Sequence, residues 1–445
     1  MQEAVVDSEV AAHEGARPLR ASAWSVTARI AFRFCFVYFC LYCLFNQVLG
    51  GLVPVPSINI PDLATLPPTS WLVAWVSIHI FHVTHPLVLE SGSGDKTIDW
   101  VLDVCLIVAA LLATATWSIL DRRRAQYEAL AKWFRVFLRF ALAGQMFGYG
   151  AVKFIPLQMP SPSLARLVEP FGNFSPMGAL WYSVGASPGY ERFAGAAEIL
   201  AGLLLILPRT ALLGALVCMA DMVQIFMLNM TYDIPVKLFS FQLALMALYL
   251  AAPELSRLKQ FFLADRAVEA STQSLLFRSR RANRYAVAAQ LIFGLLLAGA
   301  NLLQARHSWY EYGGGSPRSP LYGIWNVEQM STDGHPHPLL STESGGFRRV
   351  IFDRPDMMAF QQMDDTFLRY DAKVNAKDGT VVLSKEDDKS WHGNLRYEQP
   401  STRKMTLAGV LGGQPVQMQL QLVDRNQFLL VNRGFHWVQE YPFNR

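Results

Sequence analysis

The chain has 445 residues, 52% of them hydrophobic and 17% charged, with a formal net charge of +4. Soluble domains usually hold about 25% charged residues, and here the shortfall is concentrated before residue 305, which excludes a wholly water-soluble protein. The length allows two or three domains, and the absence of a basic patch interleaved with aromatics argues against nucleic acid.

Residues 1–28 form an N-terminal tail on the inner side of the membrane, without the apolar core of a cleavable signal peptide. Seven apolar runs follow, at 29–51, 99–119, 133–155, 190–207, 210–229, 236–252 and 285–304, each long enough to span a bilayer as a helix. The first acts as its own uncleaved signal. An eighth run, 71–90, carries His79, His82, His85 and Pro86. Charge placement decides how it is read. The loop DRRRAQYEALAKWFR has five Lys/Arg, and the connector from Arg257 to Arg284 has seven. Together with Arg17, Arg20, Arg29 and Arg33, these mark the cytoplasmic side. All three fall on one side only if 71–90 does not cross, so it reads as an interfacial or re-entrant helix on the outer face. The three histidines share a helical face but lack Cys, Asp or Glu between them, and read as interfacial anchors rather than a metal site. All five cysteines lie in apolar runs, so no disulfide framework is expected; Cys40 and Cys43 form a C-x-x-C within the first span, read as buried small residues.

After the last span, a linker at 305–320 (…YEYGGGSPRSP) precedes a region of period two, 321–445. Val416, Met418, Leu420 and Leu422 alternate with glutamines, and Leu368, Tyr370, Ala372 and Val374 share one face of FLRYDAKV. Turn signals at Lys377-Asp378-Gly379, Gly412-Gly413 and Asp424-Arg425-Asn426 suit a meander of eight to ten strands. The expected architecture is therefore a membrane α-helical bundle followed by an all-β, extracytoplasmic up-and-down barrel. Gly323-Ile324-Trp325 resembles the G-x-W that opens lipocalin-like barrels, which implies either an interior apolar ligand near Trp325 or a filled core. The ending RGFHWVQEYPFNR reads as closing the barrel, with a lid or a surface that touches the membrane domain as the alternative.

The polar residues of the spans carry the candidate site. A carboxylate at bilayer centre costs several kcal/mol, ~3 on insertion scales, yet Glu198 sits inside AGAAEILAGLLLIL. Gln145, Tyr149 and Lys153 are spaced i, i+4, i+8 and share a face; Glu191 and Glu198 lie two turns apart on one face. Glu198 and Asp221 stand at matching depth, each eight residues from the outer end of its span (190 to 198; 221 to 229). Glu198 is expected to meet Asp221, Lys153, Tyr149 or Arg192 inside the bundle.

The stretches RFALAGQMFGYGAVKFIP and GYERFAGAAEILAGLLLILPRT, followed by two more apolar spans, resemble the four-helix core of the DoxX family over about residues 133–255. The shared elements are Arg139, Gly148, Gly150 and Lys153, then Gly195 and Glu198, then Arg209; Pro208 replaces the usual turn glycine. The resemblance implies a bacterial inner-membrane protein with a redox association, and hence a quinone or isoprenoid site in which Glu198, Asp221 and Lys153 exchange protons while Tyr149, Gln145 and Arg192 line the ligand. Electrons would then come from a redox partner protein or from Cys40/Cys43, since the chain has no haem, flavin or iron–sulfur motif. The alternative is a non-catalytic binder of lipid, a small apolar ligand or a client protein, acting through the outer β domain and Trp325. No metal is expected.

Overall fold

A computed structural model describes residues 24–53, 62–264, 267–268, 275–338, 345–388 and 390–444. Arg17 and Arg20, which entered the charge argument, lie outside the described residues. The helices are α1 (Val26–Phe45), α2 (Thr69–His79), α3 (Thr97–Leu120), α4 (Glu128–Phe154), α5 (Leu164–Val168), α6 (Pro176–Gly185), α7 (Pro188–Ile206), α8 (Ala211–Thr231), α9 (Lys237–Ala251), α10 (Leu255–Leu263), α11 (Arg280–Glu311) and a short α12 (Leu429–Asn432).

Helices occupy all seven expected spans. Among the described residues, five segments are long and apolar enough to cross a membrane: Val26–Phe45, Thr97–Leu120, Ala211–Thr231, Lys237–Leu263 and Arg280–Glu311. That is the pattern of a multi-pass membrane protein. The other two helices, α4 and α7, carry five and three Asp/Glu/Lys/Arg residues respectively, and these polar helices bear the candidate site. The run at 71–90 is helical only through His79. Its 11 residues rise about 16 Å, roughly half a hydrocarbon core.

The chain divides into two compact units. One comprises Met1–Met146, Ala201–Met227 and Pro235–Leu297; the other comprises Phe147–Leu200, Leu228–Ile234 and Ala298–Arg445. Within the first, Gly144 packs so closely on Gly51 that an added Cβ would stand 2.9 Å from the Gly51 carbonyl oxygen.

The second unit contains the β domain. Strands β1 (Gly323–Thr332) and β3 (Phe347–Phe352) through β9 (Gln414–Leu422) form an antiparallel meander, and β1 pairs with β9 to close an eight-stranded barrel. β2 (His335–Pro336) is a two-residue arm on β1. Closure runs from Trp325 opposite Leu422 to Thr332 opposite Val416. The expected inward set on β5 (Phe367–Asn375) and β9 is the observed one: Leu368, Tyr370, Ala372 and Val374 belong to the core or pack on it, as do Val416, Met418, Leu420 and Leu422. At the hairpin between β8 (Lys404–Leu411) and β9, Leu411 faces Gln414, and both intervening glycines have positive φ (+54 and +90). A two-residue hairpin of this hand needs that geometry, which glycine supplies without strain.

Alternation breaks on β3 and β4 (Met357–Gln362), where Val350, Ile351 and Phe352, and Met358, Ala359 and Phe360, are all buried. The reason is a second apolar layer. Leu164 of α5 packs on Ile324, Ile351 and Ala359 from outside the barrel. Two polar contacts fix the dock: the Asp353 carboxylate accepts the Leu164 N–H at 3.0 Å, and Gln361 donates to the Val168 carbonyl at 3.1 Å.

The ending does not close the barrel. Beyond Leu422 the chain makes a 3-10 turn and the short α12, then continues without regular structure to residue 444. Trp437 is 91% exposed and Tyr441 84%. The segment lacks period-two patterning, and β1 already occupies the edge that it was expected to fill.

Candidate functional site

Small residues bring the site together. A Cβ on Gly195 of α7 would lie 2.3 Å from the Phe154 nitrogen, and one on Gly150 of α4 would lie 2.9 Å from the Gly195 carbonyl oxygen. Only hydrogen fits at these positions, so the two backbones meet as small-residue helix pairs do in membranes. The approach sets Lys153, near the end of α4, against Glu198 of α7. The two form an ion pair with side chains only 7% and 1% exposed. The Lys153 ammonium also stands 5.7 Å from the centre of the Tyr149 ring.

Glu191, two turns nearer the start of α7, is completely buried. Its Oε1 accepts the Met159 N–H at 2.9 Å, and its Oε2 has no hydrogen-bond partner among the described residues. The Lys153 charge acts on it as well. Two buried carboxyls therefore share one buried ammonium. The exposed Arg192 also acts on the Glu191 charge, so the buried trio holds one more carboxyl than ammonium with a second cation beside it.

The other expected residues are placed differently. Asp221 is half-buried and belongs to the first unit; within the second unit the carboxyls that act on Lys153 are Glu198 and Glu191. Arg192, one residue past Glu191, turns to the exposed side of α7. Tyr149 is half-buried beside Lys153, while Gln145 is buried in the first unit. Trp325 is packed in the barrel core, its indole N–H donating to the Leu321 carbonyl at 3.1 Å. That core is closed by Phe352, Phe360, Leu407 and Met418, each almost wholly buried, so Trp325 acts there as a packing residue.

Arg139 donates to the Leu205 carbonyl (2.7 Å) and to the Gln290 side chain (3.2 Å), both within the first unit. His79, His82 and His85 are exposed, and among the described residues no three His, Cys, Asp or Glu side chains gather as metal ligands. Cys40 and Cys43 are free thiols, Cys43 buried.

One buried polar group escaped the sequence reading. Tyr38 of α1 donates to Asp103 of α3 at 2.6 Å, and Gln242 of α9 bonds to both. The signal was available: Asp103 is a lone carboxyl inside an apolar run, as Glu198 is.

A set of apolar membrane-type helices joined to a closed antiparallel barrel, with a buried Lys–Glu pair in the more polar helices, defines the class. The chain is 35% identical over 128 residues to a protein of Bacillus subtilis (strain 168) named "Uncharacterized protein YwoB", a match covering 29% of this chain and 79% of that protein. It belongs to the family of that protein, whose name assigns no activity. No known family description matches the chain, and no solved structure matches it.

Proposed function

We propose that this is a redox-associated membrane protein of the DoxX type, which holds the headgroup of a quinone or isoprenoid beside Lys153 and Glu198. The observation that carries the reading is the buried trio of Lys153, Glu198 and Glu191. A headgroup bearing carbonyl or hydroxyl oxygens needs a donor and an acceptor in a dry setting. Lys153 supplies the donor, and the Glu191 Oε2, buried without a hydrogen-bond partner among the described residues, supplies the acceptor. A quinone, when bound, takes up or releases two electrons and two protons. In this reading Glu198 and Glu191 hold and pass the protons, Lys153 stabilises whichever carboxyl is ionised, and Tyr149 borders the ammonium. Electrons come from a partner redox protein. The proposed setting is the bacterial inner membrane with the barrel on the outer side, which rests on the Lys/Arg-rich segments at 122–135 and 257–284.

A second reading, a non-catalytic binder of lipid or of a client protein through the β domain, is favoured by the exposed aromatic ending around Trp437 and Tyr441. The test compares lipid extracts of the full chain purified in mild detergent with those of Glu198→Gln and Trp325→Ala, by mass spectrometry and ultraviolet absorbance. A quinone at one per chain that disappears in Glu198→Gln supports the redox reading. A lipid lost only in Trp325→Ala, under conditions where that variant's barrel is still folded, moves function to the β domain, and extracts empty in all three refute a resident headgroup.

A further inference from the structure

A cavity of about 240 Å3 opens between the α5–α6 segment and the outer wall of the barrel, lined by Ser163, Arg166 and Tyr182 on one side and by Asp353 and Arg369 on the other. Its chemistry is lopsided. The Arg166 guanidinium is fixed in place by an ion pair with Glu169 and lies over the rings of Tyr182 (5.1 Å) and Phe174 (5.9 Å). Arg369 has no ion pair and no side-chain hydrogen bond among the described residues; its guanidinium stands 5.7 Å from the Phe367 ring. The hydroxyls of Ser163 and Tyr182 likewise have no hydrogen-bond partner there.

Around Asp353, three further arginines, Arg318, Arg354 and Arg425, lie close enough to act on its charge. Arg354 is spent on Asp356 in a two-pronged contact, while the Arg425 Nε is buried without a hydrogen-bond partner. Five guanidinium groups thus meet three carboxyls (Asp353, Asp356 and Glu169), an excess of two positive charges. Burial raises the Asp353 pKa, partly offset by the Leu164 N–H and these arginines, so the one carboxyl that lines the cavity resists an incoming anion less than a free aspartate would.

We propose that this cleft is a binding site for a phosphate group, held by the guanidinium groups of Arg369 and Arg166 and the hydroxyls of Ser163 and Tyr182. Planar guanidinium forks suit the tetrahedral oxyanion, and the volume admits a phosphate with little else attached. The site is independent of the Lys153–Glu198 reading, with which it shares no residue.

The source of the phosphate, a soluble ester or a lipid headgroup, is separated by two arms on the full chain. In neutral detergent, inorganic phosphate is titrated calorimetrically against wild type, Arg369→Gln and Tyr182→Phe. In nanodiscs containing phosphatidylglycerol or phosphatidylcholine alone, native mass spectrometry counts retained phosphatidylglycerol. Among the described residues Arg369 has no ion pair or side-chain hydrogen bond to lose, and Tyr182→Phe keeps the ring under Arg166, so both variants should retain the fold. One phosphate per chain, weakened at least ~10-fold by Arg369→Gln and less by Tyr182→Phe, supports a soluble anion. No response to phosphate, but one phosphatidylglycerol retained by wild type and lost in Arg369→Gln, supports a headgroup. Absence of both, or binding unchanged in Arg369→Gln, overturns the proposal.

Discussion

Removing the Lys153 ammonium tests the logic of the buried site most directly. With side chains 7% and 1% exposed, Lys153 and Glu198 are a desolvated pair, and breaking such a pair from one side costs about 3–5 kcal/mol because a charge stays buried alone. Lys153→Met strands two carboxyls, Glu198 and Glu191, and should fall at the upper end, near ~5 kcal/mol. Glu198→Leu leaves Lys153 with Glu191 and should cost less, near ~3 kcal/mol. The double variant Lys153→Met/Glu198→Leu leaves one carboxyl, Glu191, without that ammonium instead of two, so it should cost less than Lys153→Met alone and fall well below the sum of the singles. The assay is reversible unfolding in mixed micelles across the four proteins, analysed as a double-mutant cycle. A Lys153→Met loss below ~1 kcal/mol, or a double variant equal to the sum of the singles, would refute the buried-pair account.

Gly195→Ala should destabilise the α4–α7 contact by about 1–3 kcal/mol through overpacking, whereas Gly189→Ala, whose Cβ meets nothing within 4 Å, should be silent in the same assay. Trp325→Ala should cost about 3–5 kcal/mol as a core deletion, read as a loss of barrel thermal stability with the helical far-ultraviolet signal retained. Because burial raises the Asp353 carboxyl pKa, its contribution is fully present below the ordinary carboxylate range and is lost as pH rises through the raised value. Asp353→Asn should therefore flatten the fall in thermal midpoint above roughly pH 4, and an unchanged pH profile would contradict the assignment. Deleting residues 433–444 should leave barrel stability within ~0.5 kcal/mol, as expected for surface changes, whereas a barrel-closing strand would make that deletion ruinous.

Much of this was legible in the sequence for a simple reason: periodicity survives without tertiary information. The alternation in QPVQMQLQLVD announced β9, and the Gly412-Gly413 turn announced the hairpin before it. The i, i+4, i+8 row ending at Lys153 and the seven-residue spacing of Glu191 and Glu198 gave the two faces that meet. What failed were inferences that depend on the partner element. Aromatic density alone made a strand of the ending, although a strand needs an open edge and β1 had taken it. The apolar triplets of β3 and β4 hid a second covered face, since the five-residue helix α5 that covers it is too short to show a period.

The pairing of β1 with β9 also sets an order of events during synthesis. The first strand emerges early, directly behind the last apolar helix, yet its partner along one whole edge ends only at Leu422. Contacts of such long sequence separation form late. Until β9 arrives, β1 presents a row of unpaired amides. Nonsense or frameshift changes anywhere before Leu422 would leave that row permanently open, and such products should self-associate through it. Chain loss after Leu422 spares the ring.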